Sequence, residues 1–285
     1  MYNSTQENET ARAKGKMGRG QWLILITFAL IICAGLLGSP VSWSQDKGDD
    51  DDDDYGRHAC SVRRGQKVTI ATAKLIIEHN STDEDTGVHG AFDDHGWSKL
   101  CVFDPYGRQV LVVDPKNQLN DLTMAGIFFE SREPPNSEFS IADLMAEFPE
   151  GKYRVRGINF DGTGLKGAAV FTHDIPEAPT ILFPADGATV DSGFPVVISW
   201  EDVVRTLDGG PVQITGYQVI ITKETEDDPN GFSRPVFDVH VPPDRNRLTV
   251  SEEFLEPGTE YELEILALEA SGNQTITVSF FSTEP

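Results

Sequence analysis

Asp83-Glu84-Asp85-Thr86-Gly87 is the stretch of this chain whose spacing comes nearest to a metal loop. Alternate carboxylates ahead of a glycine turn match D-x-D-x-G, the opening of a loop that wraps a hard cation in oxygen ligands. The full EF-hand pattern fails, because no Asp/Asn-Gly pair follows and no Glu stands at the twelfth position. Asp93 and Asp94 lie close downstream and would complete a different oxygen site. Asp83, Asp85, Asp93 and Asp94 are therefore the expected calcium ligands, and an exposed acidic loop between strands is the competing reading. His89, Asp93 and His95, at i, i+4 and i+6, pair imidazole with carboxylate in the manner a transition metal takes. Against that stands a polar turn with two surface histidines.

Other motifs carry less. Gly162-Thr163-Gly164-Leu165-Lys166-Gly167 matches G-x-G-x-x-G, but a dinucleotide fingerprint needs a helix whose N-terminus meets the pyrophosphate. Here Ala168-Ala169-Val170-Phe171-Thr172 reads as a strand, and Asp161-Gly162 reads as a hairpin turn. No G-x-S-x-G elbow, HExxH or P-loop occurs. With 46 acidic residues in the chain, no carboxylate pair stands out as general acid and base. No catalytic residue and no organic cofactor is expected; calcium, and a transition metal on the histidine spacing, are the candidate ions. Asn80-Ser81-Thr82 and Asn273-Gln274-Thr275 are glycan acceptor sequons.

The elements that must position such residues are β-strands. The 285 residues suffice for one or two domains, and 39% hydrophobic content allows a buried core. The 26 Gly and 17 Pro suit turn-rich β structure. A net charge of −23 argues against nucleic acid and predicts repulsion from anionic surfaces. At the N-terminus, Arg12, Lys14, Lys16 and Arg19 precede an apolar run from Trp22 to Leu37. Small residues follow up to Gln45, so residues 1–44 read as a secretory signal. The alternative is a signal anchor whose residues 22–37 stay in the membrane as a single pass. Either places residues 45–285 outside the cytoplasm. Residues 45–65 form an acidic linker, with an unbroken Asp49–Asp54 run that like-charge repulsion keeps solvated. In an oxidising compartment Cys60 and Cys101 make an even pair, and a disulfide would tie the start of the first domain to its Leu100–Val102 strand. Two separate thiols, with Cys101 buried, are the alternative.

Short alternating runs between turn signals predict a β-sandwich over residues 66–175. Its strands are expected near Lys67–His79, Lys99–Phe103, Gln109–Val113, Gly126–Glu130, Lys152–Phe160 and Ala168–Thr172. The phase slip at Gly157 predicts a β-bulge. One helix is expected after Ser140, an N-cap with Asp143 three residues on, with Ile141, Leu144, Met145 and Phe148 on one face. Asp174–Pro184, with three prolines, reads as a stiff connection. Beyond it Val196, Ile198 and Trp200 alternate, as do Tyr217, Val219 and Ile221. Tyr261, Leu263, Ile265 and Ala267 face away from Glu260, Glu262 and Glu264. Ile276, Val278 and Phe280 alternate with Thr275, Thr277 and Ser279. Each such strand reads as having a dry and a wet face.

Residues 177–285 resemble a fibronectin type III domain. The residues that carry this are Pro179 and Pro184, Ile198-Ser199-Trp200, Ile214-Thr215-Gly216-Tyr217 and Leu255-Glu256-Pro257-Gly258-Thr259-Glu260-Tyr261. The resemblance implies a core role for Trp200 and a tyrosine corner at Tyr261. Phe148-Pro149-Glu150-Gly151-Lys152-Tyr153 echoes the second corner, so the first domain reads as Ig-like with Tyr153 in the same role. The expected whole is all-β: two tandem β-sandwich domains (Ig-like and fibronectin type III-like). The expected function is that of an exported, non-enzymatic binding, adhesion or scaffold module of the cell surface or envelope, with a protein or glycan partner. The alternatives are a calcium-dependent interaction module and a non-catalytic accessory of a secreted hydrolase.

Overall fold

A computed structural model describes Cys60, residues 65–224 and residues 236–285. The expected signal or anchor over 1–44, the six-aspartate run and most of the 45–65 linker lie outside the described residues. Around a first core the chain forms β1 (Lys67–Thr69), β2 (Thr72–Asn80), β3 (Asp85–Phe103), β4 (Gln109–Val113), α1 (Asn117–Leu122), β5 (Met124–Glu130), α2 (Ile141–Glu147), β6 (Gly151–Asn159) and β7 (Gly164–Phe171). Around a second core it forms β8 (Ile181–Phe183), β9 (Ala188–Val190), β10 (Val196–Trp200), β11 (Ile214–Lys223), β12 (Val236–Val241), β13 (Arg247–Val250), β14 (Glu260–Glu269) and β15 (Gln274–Thr283). The architecture is all-β and sandwich-like, as the alternating patterns predict. No described helix is long and apolar enough to cross a membrane.

The largest departure from the sequence reading is β3, whose 19 residues include the stretch read above as an acidic loop. Its first half pairs with β2 and β5, and its second half with β4 and β6. Register shifts between Asp93 and Trp97 and between Trp97 and Lys99 separate the two halves. There the strand exchanges its partners and closes the first core over Phe92, Trp97 and Leu100, all fully buried. The bulge expected at Gly157 is absent, since β6 pairs with β7 without a slip. The irregularity sits on the neighbouring β3. Gly157 answers a different need: a Cβ there would meet the Lys99 carbonyl oxygen at 2.6 Å, so only glycine lets the two strands approach.

Local signals were reliable where they were capped. Ser140 accepts from the Asp143 amide while the Asp143 carboxylate accepts from the Ser140 amide, a reciprocal capping box. Leu144 is buried, and Ile141, Met145 and Phe148 pack on the first core. Tyr153 donates its hydroxyl to the Pro149 carbonyl at 3.1 Å. Tyr261 accepts from the Glu256 amide at 2.7 Å. Both residues thus make tyrosine corners, and with Trp200 buried against Tyr217 the second core is a fibronectin type III-like sandwich.

One sheet runs through both cores, in the order β1-β7-β6-β3-β2-β15-β14-β11-β12. The seam is the parallel pair β2–β15, with Glu78 opposite Gln274 and Asn80 opposite Ile276. Asn273 reinforces it: its carbonyl accepts from the Ile77 amide, and its amide donates to the Thr172 and Asp174 carbonyls. β15 is buried on both faces rather than one. Thr275, Ser279 and Phe281 are buried on one side, where Thr275 and Thr277 donate to the Pro176 and Pro179 carbonyls of the interdomain connection. Ile276 and Val278 instead join Ile220, Leu266 and Leu268 in a small cluster on the opposite face. On that face Glu262 is buried rather than wet.

Candidate functional site

In the β2–β3–β5 sheet, Ile76, His89 and Glu130 stand directly opposite one another, and Glu78 stands opposite Gly87. Opposed residues share a face. His89 is therefore carried over the sheet next to carboxylates from both neighbouring strands. Glu133 arrives from the segment after β5 and lies over Gly87. A Cβ at Gly87 would meet Glu133 Cγ and Oε1 at 2.5 Å, so the missing side chain is what admits this carboxylate. His89 Nε2 lies 2.8 Å from Glu133 Oε1, and Nδ1 lies 3.7 Å from Glu78 Oε2. Phe128 presents its ring edge-on to the imidazole at 5.8 Å.

The electrostatics follow from burial and crowding. Burial lifts the Glu78 carboxyl to about 7, and Glu133 and Glu130 push the same way against His89 and the Gln274 amide. Asp85 is likewise lifted to about 7 by burial and by Glu133, Asp83 and Glu78. Glu130 is raised by burial, with further contributions from Glu133 and Asp85. Burial alone would lower the His89 imidazole. Its bond to Glu133 and the charges of Glu78, Glu133 and Glu130 outweigh that, and it sits above its ordinary value. Among the described residues no lysine or arginine forms an ion pair with Glu78, Asp85, Glu130 or Glu133.

The four aspartates of the expected calcium loop do not converge. Asp83 lies in the β2–β3 turn, where it accepts from Asn80. Asp85 opposes Asn80 at one end of the hairpin ladder, and Asp93 opposes Thr72 at the other. Eight strand residues separate them by about 26 Å. Asp94 is turned to the opposite face from Asp93 and is occupied as an acceptor from the Ala71 and His95 amides. The same extension separates His89, Asp93 and His95, and His95 is fully solvent-facing while His89 is buried. The reason is local. A loop would have let alternate carboxylates curl toward one point, whereas a strand spaces them along a line. Of the residues read as metal ligands, His89 keeps metal-ligating company, but with Glu78 and Glu133. Glu133 lies 44 residues away and no short motif marks it.

Cys60 and Cys101 are joined by a disulfide with Cα atoms 5.9 Å apart. Cys101 opposes Arg156, so the disulfide lies on the outer face of the β3–β6–β7–β1 sheet. On that face is a groove of about 400 Å³ lined by Lys67, Lys152, Arg154, Arg156 and Lys166. Lys152, Arg154 and Arg156 alternate along β6, and Arg156 opposes Lys166 on β7. Their core-facing neighbours Tyr153 and Val155 are buried, which fixes the direction of the basic row. Five cations on one face of so acidic a chain make a local positive field that the net charge conceals.

No family model matches the chain, and no curated protein matches it. Among solved structures it is similar to the chicken CNTN1 FN1-FN3 domains, with 14% identity, a TM-score of 0.33 and 77% of this chain covered. It spans 65% of that chain, less than two thirds of its length. It is also similar to the fibronectin(III)-like modules of Clostridium thermocellum CbhA, with 8% identity, a TM-score of 0.30, and 75% and 93% of the two chains covered. A two-domain fibronectin type III segment of chicken tenascin gives 10% identity, a TM-score of 0.27 and coverages of 74% and 98%.

Proposed function

We propose that this chain is an exported, non-enzymatic binding module, with domains at 66–175 and 177–285 acting as one rigid display unit and an anionic glycan as its partner. The basic groove over β1, β6 and β7 carries this reading. Side chains two apart on a strand lie about 6.6 Å apart and cross-strand pairs about 5 Å. Such a ladder of charges suits a linear polymer with an acid on each sugar. The seam between β2 and β15 supports the rigid part of the reading, because bonds along a sheet leave no hinge between the cores.

Polygalacturonate is the probe. The full chain is expected to be retained on it at low ionic strength and released as salt screens the contact. Arg154→Glu with Arg156→Glu should weaken retention about tenfold, the scale of two partly screened ion pairs. Lys74→Glu, on exposed β2 surface, should leave it unchanged. Retention that survives the double charge reversal, or retention only on an acidic peptide column, would overturn the glycan reading. Export with signal cleavage is read independently, as an intact mass beginning at Gln45.

A further inference from the structure

Glu78, His89 and Glu133 bring two carboxylates and one imidazole together in a buried place. One donor atom from each lies within 4.8 Å of the other two. All three side chains are more than nine-tenths buried. Asp85 and Glu130 add two further carboxylates at the edge of the same cluster. Four acids thus crowd one imidazole, and no described lysine or arginine is ion-paired with them. The cluster is built rather than incidental. Gly87 makes the room Glu133 occupies, and the strand register of β2, β3 and β5 fixes His89 between its neighbours.

We propose that Glu78, His89 and Glu133 bind one divalent first-row transition ion, with Zn²⁺ as its representative. The donor set selects the ion class. Imidazole suits Zn²⁺ and its neighbours, whereas calcium and magnesium take oxygen ligands. Bonds of about 2.0–2.1 Å set donors about 3.3 Å apart in a tetrahedral site. One donor atom from each of the three side chains already lies within 4.8 Å of the other two, so small side-chain movements bring them to that spacing. Glu78 also accepts from Gln274 on β15, which places the site against the seam between the two cores.

The full chain, stripped with EDTA and exchanged into chelator-free buffer, is titrated with Zn²⁺ by calorimetry, and its metal content is counted by mass spectrometry. One high-affinity equivalent per chain is expected. Free Zn²⁺ at a hundred times its dissociation constant should raise Tm by about 5–10 °C. His89→Gln and the near-isosteric Glu133→Gln should each weaken that equivalent at least tenfold, with circular dichroism checking that the fold is kept. His95→Gln and replacement of Asp49–Asp54 by serine should leave it intact, which separates the site from exposed histidine and from diffuse binding to the acidic run. Absence of a Zn²⁺ equivalent, an equivalent that persists in both ligand variants, or a response to calcium alone would each overturn the assignment.

Discussion

Gln274 stands beside Glu78 across the parallel β2–β15 pair and donates its side-chain amide to that carboxylate, joining residues 196 apart in the chain. Next to it, Asn273 is buried and uses both ends of its amide across the same boundary. Asn273→Ala would leave the Ile77 amide and the Thr172 and Asp174 carbonyls without this partner. At about 1 kcal/mol for each bond, the expected cost is about 2–3 kcal/mol. Thermal unfolding of the full chain should show a fall in Tm of about 4–10 °C. A variant as stable as the parent would mean that the seam contributes nothing.

The two tyrosine corners are not equivalent. Tyr261 satisfies a backbone N–H, that of Glu256, whereas Tyr153 donates to a carbonyl, that of Pro149. An orphaned N–H is less easily accommodated than an under-satisfied carbonyl. Tyr261→Phe should therefore cost more than Tyr153→Phe, about 1–3 kcal/mol against about 1 kcal/mol, in urea unfolding. Equal losses would refute the distinction.

These corners were legible because their chemistry is local: each lies within five residues of its backbone partner. The same holds for the Ser140–Asp143 box and for β4, found over the residues its alternation marks. The first half of β3 was not legible. Its acidic and glycine-rich residues imitate a loop, and the glycines are there to admit Glu133 over Gly87 and the Phe129 ring over Gly90. The burial of the polar face of β15 was hidden for a related reason. Thr275 and Thr277 are spoken for by proline carbonyls about a hundred residues earlier, a demand that no alternation of hydropathy reveals. The candidate metal site has the same origin, since Glu78, His89 and Glu133 meet only through sheet register and one loop.

Glu264 gives the pH dependence a sign. Burial and then the neighbouring Glu262 hold its carboxyl well above the ordinary 4.5, so the folded chain keeps a proton there that the unfolded chain releases. That contribution to stability is complete below 4.5 and is lost as pH rises through the raised native value. Urea midpoints measured upward from pH 4.5 should fall, and Glu264→Gln, which cannot ionise, should flatten the slope. A parallel slope in the variant would assign the effect elsewhere.

Cys60 is bonded to Cys101 on the face that bears the basic groove, and Asp54 precedes Cys60 by six residues in the sequence. Six residues reach at most about 20 Å. An acidic run held within that reach would compete with an external polyanion for the groove. Serine in place of Asp49–Asp54 should tighten binding of polygalacturonate, and reduction of the disulfide should act in the same direction. Affinity unchanged by both would show that the run does not reach the groove.

The parallel sense of the β2–β15 seam has a mechanical meaning. When β2 is drawn from its N-terminal end and β15 from its C-terminal end, the two strands are pulled along their common axis in opposite directions. The ladder pairs and the bonds of Ser81 and Asn273 that flank them then bear the load together, in shear, instead of opening one after another as in a zipper. A load applied across the seam is therefore shared by the two cores it joins.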